Sequence, residues 1–295
     1  MTKIRNKRKL RIFDVINACI MILLGFSFVV PFWIIACSSL SDNGQLMFKG
    51  ISLWFRGFSF EGYAFLFQMS DVFFKSIISS LIVSFSNAAL SVALCTGAAY
   101  VLAKKDLAGR KALNIFFMIP MFFGGGMIPL YLVIRGIKIY DTVWALIFPC
   151  AVRISNVLLL RNYFYGIPTS LNEAGELDGA NQFQILIKII IPLAVPMMLT
   201  IGMIMFVDRW NNWLDTLLYF GSSNTKWWTI QYVLRQILTD MQSLYGSLGG
   251  GSIVDAPLIS ARNAAVVIAV LPLVCLSPVL HKYYIKGMTE GAVKG

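Results

Sequence analysis

Charge is scarce in this chain. Only 13% of its 295 residues are Asp, Glu, Lys or Arg, and 58% are hydrophobic, whereas soluble domains carry about 25% charged residues. That scarcity excludes a water-soluble fold, because a soluble core cannot absorb so much apolar sequence and a bilayer can. Histidine is scarcer still. His281 stands alone, which excludes an H-E-x-x-H zinc site and any metal centre built on paired histidines. No pair of acids falls inside an apolar run, so an aspartyl dyad in the membrane and the midplane acids of an ion-coupled secondary transporter are both missing. The five cysteines, Cys19, Cys37, Cys95, Cys150 and Cys275, have no CxxC spacing and lie in or beside apolar runs; they read as small buried apolar residues. No G-x-x-x-x-G-K-S/T phosphate loop occurs, so that route to ATP hydrolysis is closed to this chain.

What the chain has instead is long hydrophobic runs, and its mean hydropathy is +0.73. A hydrocarbon core of roughly 30 Å takes about 20 apolar residues per helix. Six segments meet that length: Val15–Cys37, Ile77–Leu102, Leu113–Ile134, Thr142–Leu160, Ile189–Val207 and Ala264–Tyr284. They are continuous rather than alternating, so helices are expected and strands are not. The fold class is all-α integral membrane with six spans.

The basic residues orient the bundle. Lys3, Arg5, Lys7, Arg8, Lys9 and Arg11 open the chain, Lys104, Lys105, Arg110 and Lys111 follow the second span, and Lys282, Lys286 and Lys294 close it. In a six-span arrangement all three groups fall on one side, and Lys/Arg-rich short loops mark the cytoplasm. Both termini are therefore expected in the cytoplasm, and the basic start reads as a topology signal rather than a nucleic-acid site. Residues 1–14 form a cytoplasmic N-terminus, 15–284 the six-span domain and 285–295 a cytoplasmic tail. Within the domain, 161–188 is a cytoplasmic loop and 208–262 a long external one. The external segment with Trp54, Phe55, Phe58, Phe60 and Tyr63 reads as interfacial. Ile230, Val233, Leu234, Ile237, Leu238 and Met241 predict an amphipathic helix, followed by a flexible Gly246–Ser252 stretch.

The loop at 161–188 holds the most distinctive segment, Glu173-Ala174-Gly175-Glu176-Leu177-Asp178-Gly179-Ala180, then Ile189-Ile190-Ile191-Pro192 and Pro196. Pro168 closes the preceding helix. Ser170 with Glu173 fits a capping box and starts a short helix near Leu171. Gly179 suits the left-handed residue that ends it, and Asn181 with Gln184 supplies a second cap. Helix, sharp turn, helix is the expected shape. Either it is a solvated hairpin that joins two spans, or it is a docking surface.

This segment resembles the "EAA" loop of carbohydrate-importing ABC permeases, the group that includes the smaller permease of the maltose transporter. The match runs through Glu173 and Ala174, Asp178-Gly179-Ala180, Ile189 and Pro192. It departs at Gly175, where the family has a second alanine. Glycine costs roughly 1 kcal/mol of helix propensity, which predicts a softer first helix. Phe123-Gly124-Gly125-Gly126-Met127-Ile128-Pro129-Leu130-Tyr131, Trp210-Asn211-Asn212-Trp213 and the Tyr284–Gly295 tail extend the resemblance over nearly the whole chain. The first of these is similar to a signature of permeases for polysaccharide or complex oligosaccharide import.

The resemblance implies a type I ABC importer permease in the bacterial cell membrane. It implies no enzyme and no cofactor, with ATP bound by a partner ATPase dimer. The other implied partners are a second, homologous permease and an extracytoplasmic sugar-binding protein. The substrate would be an oligosaccharide. Glu173, Ala174, Gly175, Asp178, Gly179 and Ala180 would form the coupling element that meets the ATPase. A permease for a non-sugar solute, or a secondary transporter, is the alternative.

Four further residues are candidates for the substrate path. Arg153 lies about eleven residues into the fourth span, roughly 16 Å deep at 1.5 Å per residue, where an ionised side chain usually faces a cavity or a partner. Asn156 shares its face. Arg153 would favour an acidic oligosaccharide such as a uronate; a salt bridge to the second permease and a side chain reaching to a loop are the alternatives. Trp210 and Asn211 would stack on and hydrogen-bond a sugar at the external mouth, unless the ring is an interface anchor. The Gly124–Gly126 run either breaks the third span or allows close helix packing.

Overall fold

The computed structural model describes residues 12–68, 71–104, 106–220, 224–247 and 258–292. The basic residues at positions 3–11 and most of the Gly246–Ser252 stretch lie outside these, as does the side chain of His281. Helices dominate, and no strand is found among the described residues beyond an isolated bridge between Ser41 and Phe58. In chain order the helices begin with α1 (Ile12–Ser39), α2 (Asn43–Lys49), α3 (Glu61–Gln68) and α4 (Asp71–Ala103). Then come α5 (Arg110–Phe122), α6 (Met127–Gly136), α7 (Trp144–Ile147), α8 (Ile154–Tyr165) and α9 (Thr169–Leu177). The last are α10 (Gln182–Ile185), α11 (Ile191–Trp210), α12 (Leu214–Tyr219), α13 (Ile230–Ser247) and α14 (Leu258–Ala292).

Four helical segments are long and apolar enough to cross a membrane: Ile12–Ser39, Val72–Ala103, Gln182–Trp210 and Leu258–Pro278. A fifth, Arg110–Phe122 with Met127–Gly136, is bent by 111°. The third predicted span, Leu113–Ile134, is thus two helices with the break at the glycine run. Gly126 has φ +84°, which a side-chain-bearing residue rarely adopts. The fourth, Thr142–Leu160, is not one helix either. α7 stops at Ile147 and α8 starts at Ile154. Pro149 has no N–H to continue the ladder, Cys150 takes φ +61°, and Arg153 is extended at φ −107°, ψ 119°. Near Pro192 the chain makes a single π turn, Leu186–Ile190, between α10 and α11, a wider turn that accommodates the proline ring and its missing N–H.

The chain divides into two compact units, Met1–Met69 with Asp240–Ile268 and Ser70–Thr239 with Ala269–Gly295. In the first, the segment after α1 folds back along it. The Trp33 indole donates to the Leu53 carbonyl at 2.9 Å, and aromatic rings run from Trp33 through Trp54, Phe55, Phe58 and Phe60 to Tyr63, 5.0 to 6.2 Å apart. The Asn43 carboxamide oxygen accepts from the Ile259 N–H at 3.0 Å. A Cβ on Gly62 would stand 2.6 Å from the Ser260 backbone, so only glycine permits this approach of α3 to the start of α14.

In the second unit α4 packs against α8 and α11. The contact face of α4 is built from small polar residues; Ser76, Ser80, Ser84, Asn87 and Ser91 are all buried. Side chains of that size let helices approach closely in a membrane. On α11, Gly202 matches them, its Cβ position 3.3 Å from Val92. The cysteines split: Cys37 and Cys95 are buried, while Cys19 and Cys275 are exposed on helices that turn apolar residues outward and Cys150 is exposed in the break after α7.

Candidate coupling insert and translocation site

The insert folds as the expected helix, turn and helix. α9 begins earlier than predicted, at Thr169, and Ser170 makes no cap. Pro168 takes the N-cap position with φ −57° and ψ 130°, which places Ser170 inside the first turn, where its hydroxyl cannot cap. The C-terminal end follows the sequence. Gly179 has φ +77°, its N–H donates to the Glu176 carbonyl at 3.0 Å, and the Ala180 N–H donates to that of Gly175 at 2.9 Å. These two bonds make a Schellman motif. Asn181 and Gln184 then form a reciprocal capping box, each side-chain oxygen accepting the other's N–H at 2.9 Å.

Gly175 is buried in this turn, and a Cβ there would lie 3.1 Å from both Ile185 and Ile189. The departure from alanine therefore has a packing reason: it seats α9 against the start of the following span. Glu173, Ala174, Glu176, Asp178 and Gly179 are exposed. So are Leu171, Leu177 (89%) and Phe183 (69%). Acids and large apolar side chains interleave on one small surface. Beside it lies a cavity of about 490 Å³ lined by Tyr100, Lys104, Asp106, Asn172, Glu173 and Glu176, among others. Lys104 and Tyr100 donate to the Gln182 side chain, which donates to Glu176. Arg110 donates to Tyr165. The basic 104–111 loop and the insert thus share one end of this unit.

The break between α7 and α8 is held by side chains. Arg209, 3% exposed, donates to the carbonyls of Leu146 at 3.4 Å and Pro149 at 2.9 Å and to Asp215 at 2.6 Å. Asn87 donates to the Ile147 carbonyl at 2.6 Å. Non-helical backbone at membrane depth survives only where protein satisfies it, and these residues do so here. Neither Arg209 nor Asn87 stood out in the sequence. Arg209 lies beside Trp210, at the end of a hydrophobic run, and nothing local marks its carbonyl partners about 60 residues away. Nearby, burial and the Asp215 carboxylate push the Tyr219 phenol up to about 12.

Arg153 is not deep within a continuous helix. It is the N-cap residue of α8 and pairs with Asp208 at 2.9 Å, three residues from the end of the Gln182–Trp210 span counting Trp210. Asn156, one turn on, is buried, and its Nδ2 has no hydrogen-bond partner among the described residues. Trp210 is fully buried, stacked on Phe206 with its indole N–H on the Ala269 carbonyl at 3.1 Å. It presents no ring face to a sugar. Asn211 follows it and is exposed. Arg153 and Asn156 are therefore brought together, Trp210 is packed away, and Asp208 joins the set.

Residues 89–290 match the family described as Binding-protein-dependent transport system inner membrane component. Over 290 residues the chain is 33% identical to the Polygalacturonan/rhamnogalacturonan transport system permease protein YtcP of Bacillus subtilis (strain 168), covering 97% of this chain and all of that one. It is 25% identical over 296 residues to the Arabinooligosaccharides transport system permease protein AraQ of the same organism, covering 99% and 100%. Among solved structures it is similar to a chain of a bacterial ABC transporter involved in the import of the acidic polysaccharide alginate. There the TM-score is 0.84 at 25% identity, with 96% of this chain and 99% of the other covered.

Proposed function

The chain belongs to the binding-protein-dependent transport system inner membrane components, and from that premise we propose that it is the permease subunit of an ATP-driven oligosaccharide importer, coupled to its motor through the Glu173–Ala180 insert. It is a multi-pass protein of the bacterial cell membrane. Its partners in this reading are a second, homologous permease, an ATPase dimer that binds the ATP, and an extracytoplasmic sugar-binding protein. The chain itself performs no catalysis. The observation that carries the coupling role is the doubly capped insert, whose Schellman turn and capping box fix an exposed acidic and apolar surface beside a cavity. A solvated linker has no use for Leu177 at 89% exposure. A carbohydrate cargo is supported by the names of the relatives, and an acidic one by the polygalacturonan and alginate systems among them.

Glu173→Lys tests the coupling role. In the assembled transporter the variant should reach the membrane at the ordinary level while sugar-stimulated ATP hydrolysis falls about tenfold or more, the scale of one charge-assisted contact turned repulsive. Undiminished transport would remove Glu173 from the interface.

A further inference from the structure

Neighbouring residues of α11 make two ion pairs of different kinds. Arg209 and Asp215 have side chains 2% and 16% exposed, and Arg209 also holds two backbone carbonyls. That pair is fixed. Asp208 and Arg153 are each 37% exposed and touch through one contact of 2.9 Å. Successive helical residues point about 100° apart, so the two pairs meet different surroundings. Near the end of the Gln182–Trp210 span and 37% exposed, this pair is open to water rather than turned to acyl chains, where charge is costly. A guanidinium has five N–H donors, and Arg153 commits one of them to Asp208. Its planar fork fits a carboxylate with two parallel bonds. It also stands at the N-terminus of the twelve-residue α8, where the helix dipole adds attraction for an anion.

We propose that Arg153 reads the carboxylate of an acidic oligosaccharide and that Asp208 is its resident competitor. The sugar carboxylate displaces Asp208 on arrival, and Asp208 returns to Arg153 as the sugar leaves. The resting pair is neutral, and a bound carboxylate makes the trio net negative. Asp208 therefore weakens binding and speeds release, as a conducting site requires. This rests on the oligosaccharide reading above and extends it to the residues that read and release an acidic cargo.

The test is uptake of trigalacturonic acid against neutral galactotriose by the complete transporter in liposomes. The same binding protein serves every arm, so its own selectivity cancels between variants. Arg153→Gln should lower the acidic-to-neutral ratio of kcat/KM by about tenfold or more, with Arg153→Lys between it and the parent. Asp208→Asn should raise the ratio, because KM for the acidic sugar falls by a larger factor than its kcat slows. Both Arg153→Gln and Asp208→Asn break the same ion pair, so a merely structural pair would move the ratio in one direction for both, and that result overturns the proposal. If Arg153→Gln fails to assemble, the sign for Asp208→Asn decides alone. A parent transporter that carries the neutral sugar and not the acidic one also overturns it, while the oligosaccharide function stands. If neither sugar is carried, the proposal falls with the acidic cargo it names, while Glu173→Lys still tests the coupling role separately.

Discussion

Gly175 shows what one hydrogen atom in place of a methyl group does. Helix propensity treats the residue as a weakness, and packing treats it as a fit, with a Cβ 3.1 Å from the tips of Ile185 and Ile189. The two effects are of similar size. Alanine would regain roughly 1 kcal/mol of propensity, and the flexible isoleucine ends can yield a few tenths of an ångström. Gly175→Ala is therefore expected to leave the detergent-solubilised protein within about 1 kcal/mol of the parent. Gly175→Val adds branched bulk that cannot fit and should cost about 1–3 kcal/mol. Thermal unfolding of the three proteins measures this, and a valine variant as stable as the parent would show that α9 is free of the following span. The residue's identity and its departure from the family pattern were readable in the sequence. The isoleucines that explain it lie across a turn, ten and fourteen positions on, and no local pattern points to them.

Elements divide by how local their causes are. The Schellman turn at Gly179 and the capping box at Asn181 and Gln184 use partners within five residues, so the sequence revealed them. The expected cap at Ser170 failed for an equally local reason, since Pro168 occupies the position first. Of the amphipathic face expected on α13, Ile230, Val233, Leu234 and Ile237 are buried and Leu238 turns outward, while the side chain of Met241 lies outside the described ones. The interrupted fourth span is the contrary case. Residues 142–160 are apolar enough to read as one helix, and Pro149 was the sole local hint. The break exists because Arg209 and Asn87, from α11 and α4, take over its carbonyls. Arg209→Gln should consequently be severe. It forfeits carbonyl bonds and strands Asp215 without its cation, a loss of about 3–5 kcal/mol for a buried pair broken from one side. Arg209→Lys should recover only part, because an ammonium cannot reach two carbonyls and a carboxylate in one plane. Thermal stability and yield of the assembled transporter report the order parent, Lys, Gln. Equal stability of all three would mean that the break holds itself.

The sidedness of the second unit follows from lengths. On α4, Ser80 accepts the Ile230 N–H at 2.7 Å, while Lys104, just past the end of the same helix, binds Gln182 of the insert. Ser80 and Ala103 are 23 residues apart, about 35 Å of helix, and the hydrocarbon core is about 30 Å thick. Residues around 226–230 and the 104–111 loop with the insert are thus separated along α4 by more than that thickness, which the proposed topology reads as opposite sides of the membrane. On the proposed reading Lys104, Arg110 and Lys111 mark the cytoplasmic side, and the insert goes with them, as contact with an ATPase requires. Sequence patterning supplied the charges, but the Lys104–Gln182 contact ties them to the insert, and Arg110–Tyr165 to the end of α8 before it, independently of how many helices cross. That independence matters because two of the six predicted spans are broken. In a cysteine-free background, Lys226→Cys is expected to react with a membrane-impermeant maleimide in intact protoplasts. Ala108→Cys and Ser170→Cys should react only after the membrane is opened. If Ser170→Cys were labelled from outside, the insert would face the wrong compartment, and no reading of Glu173–Ala180 as the contact with an ATPase would survive.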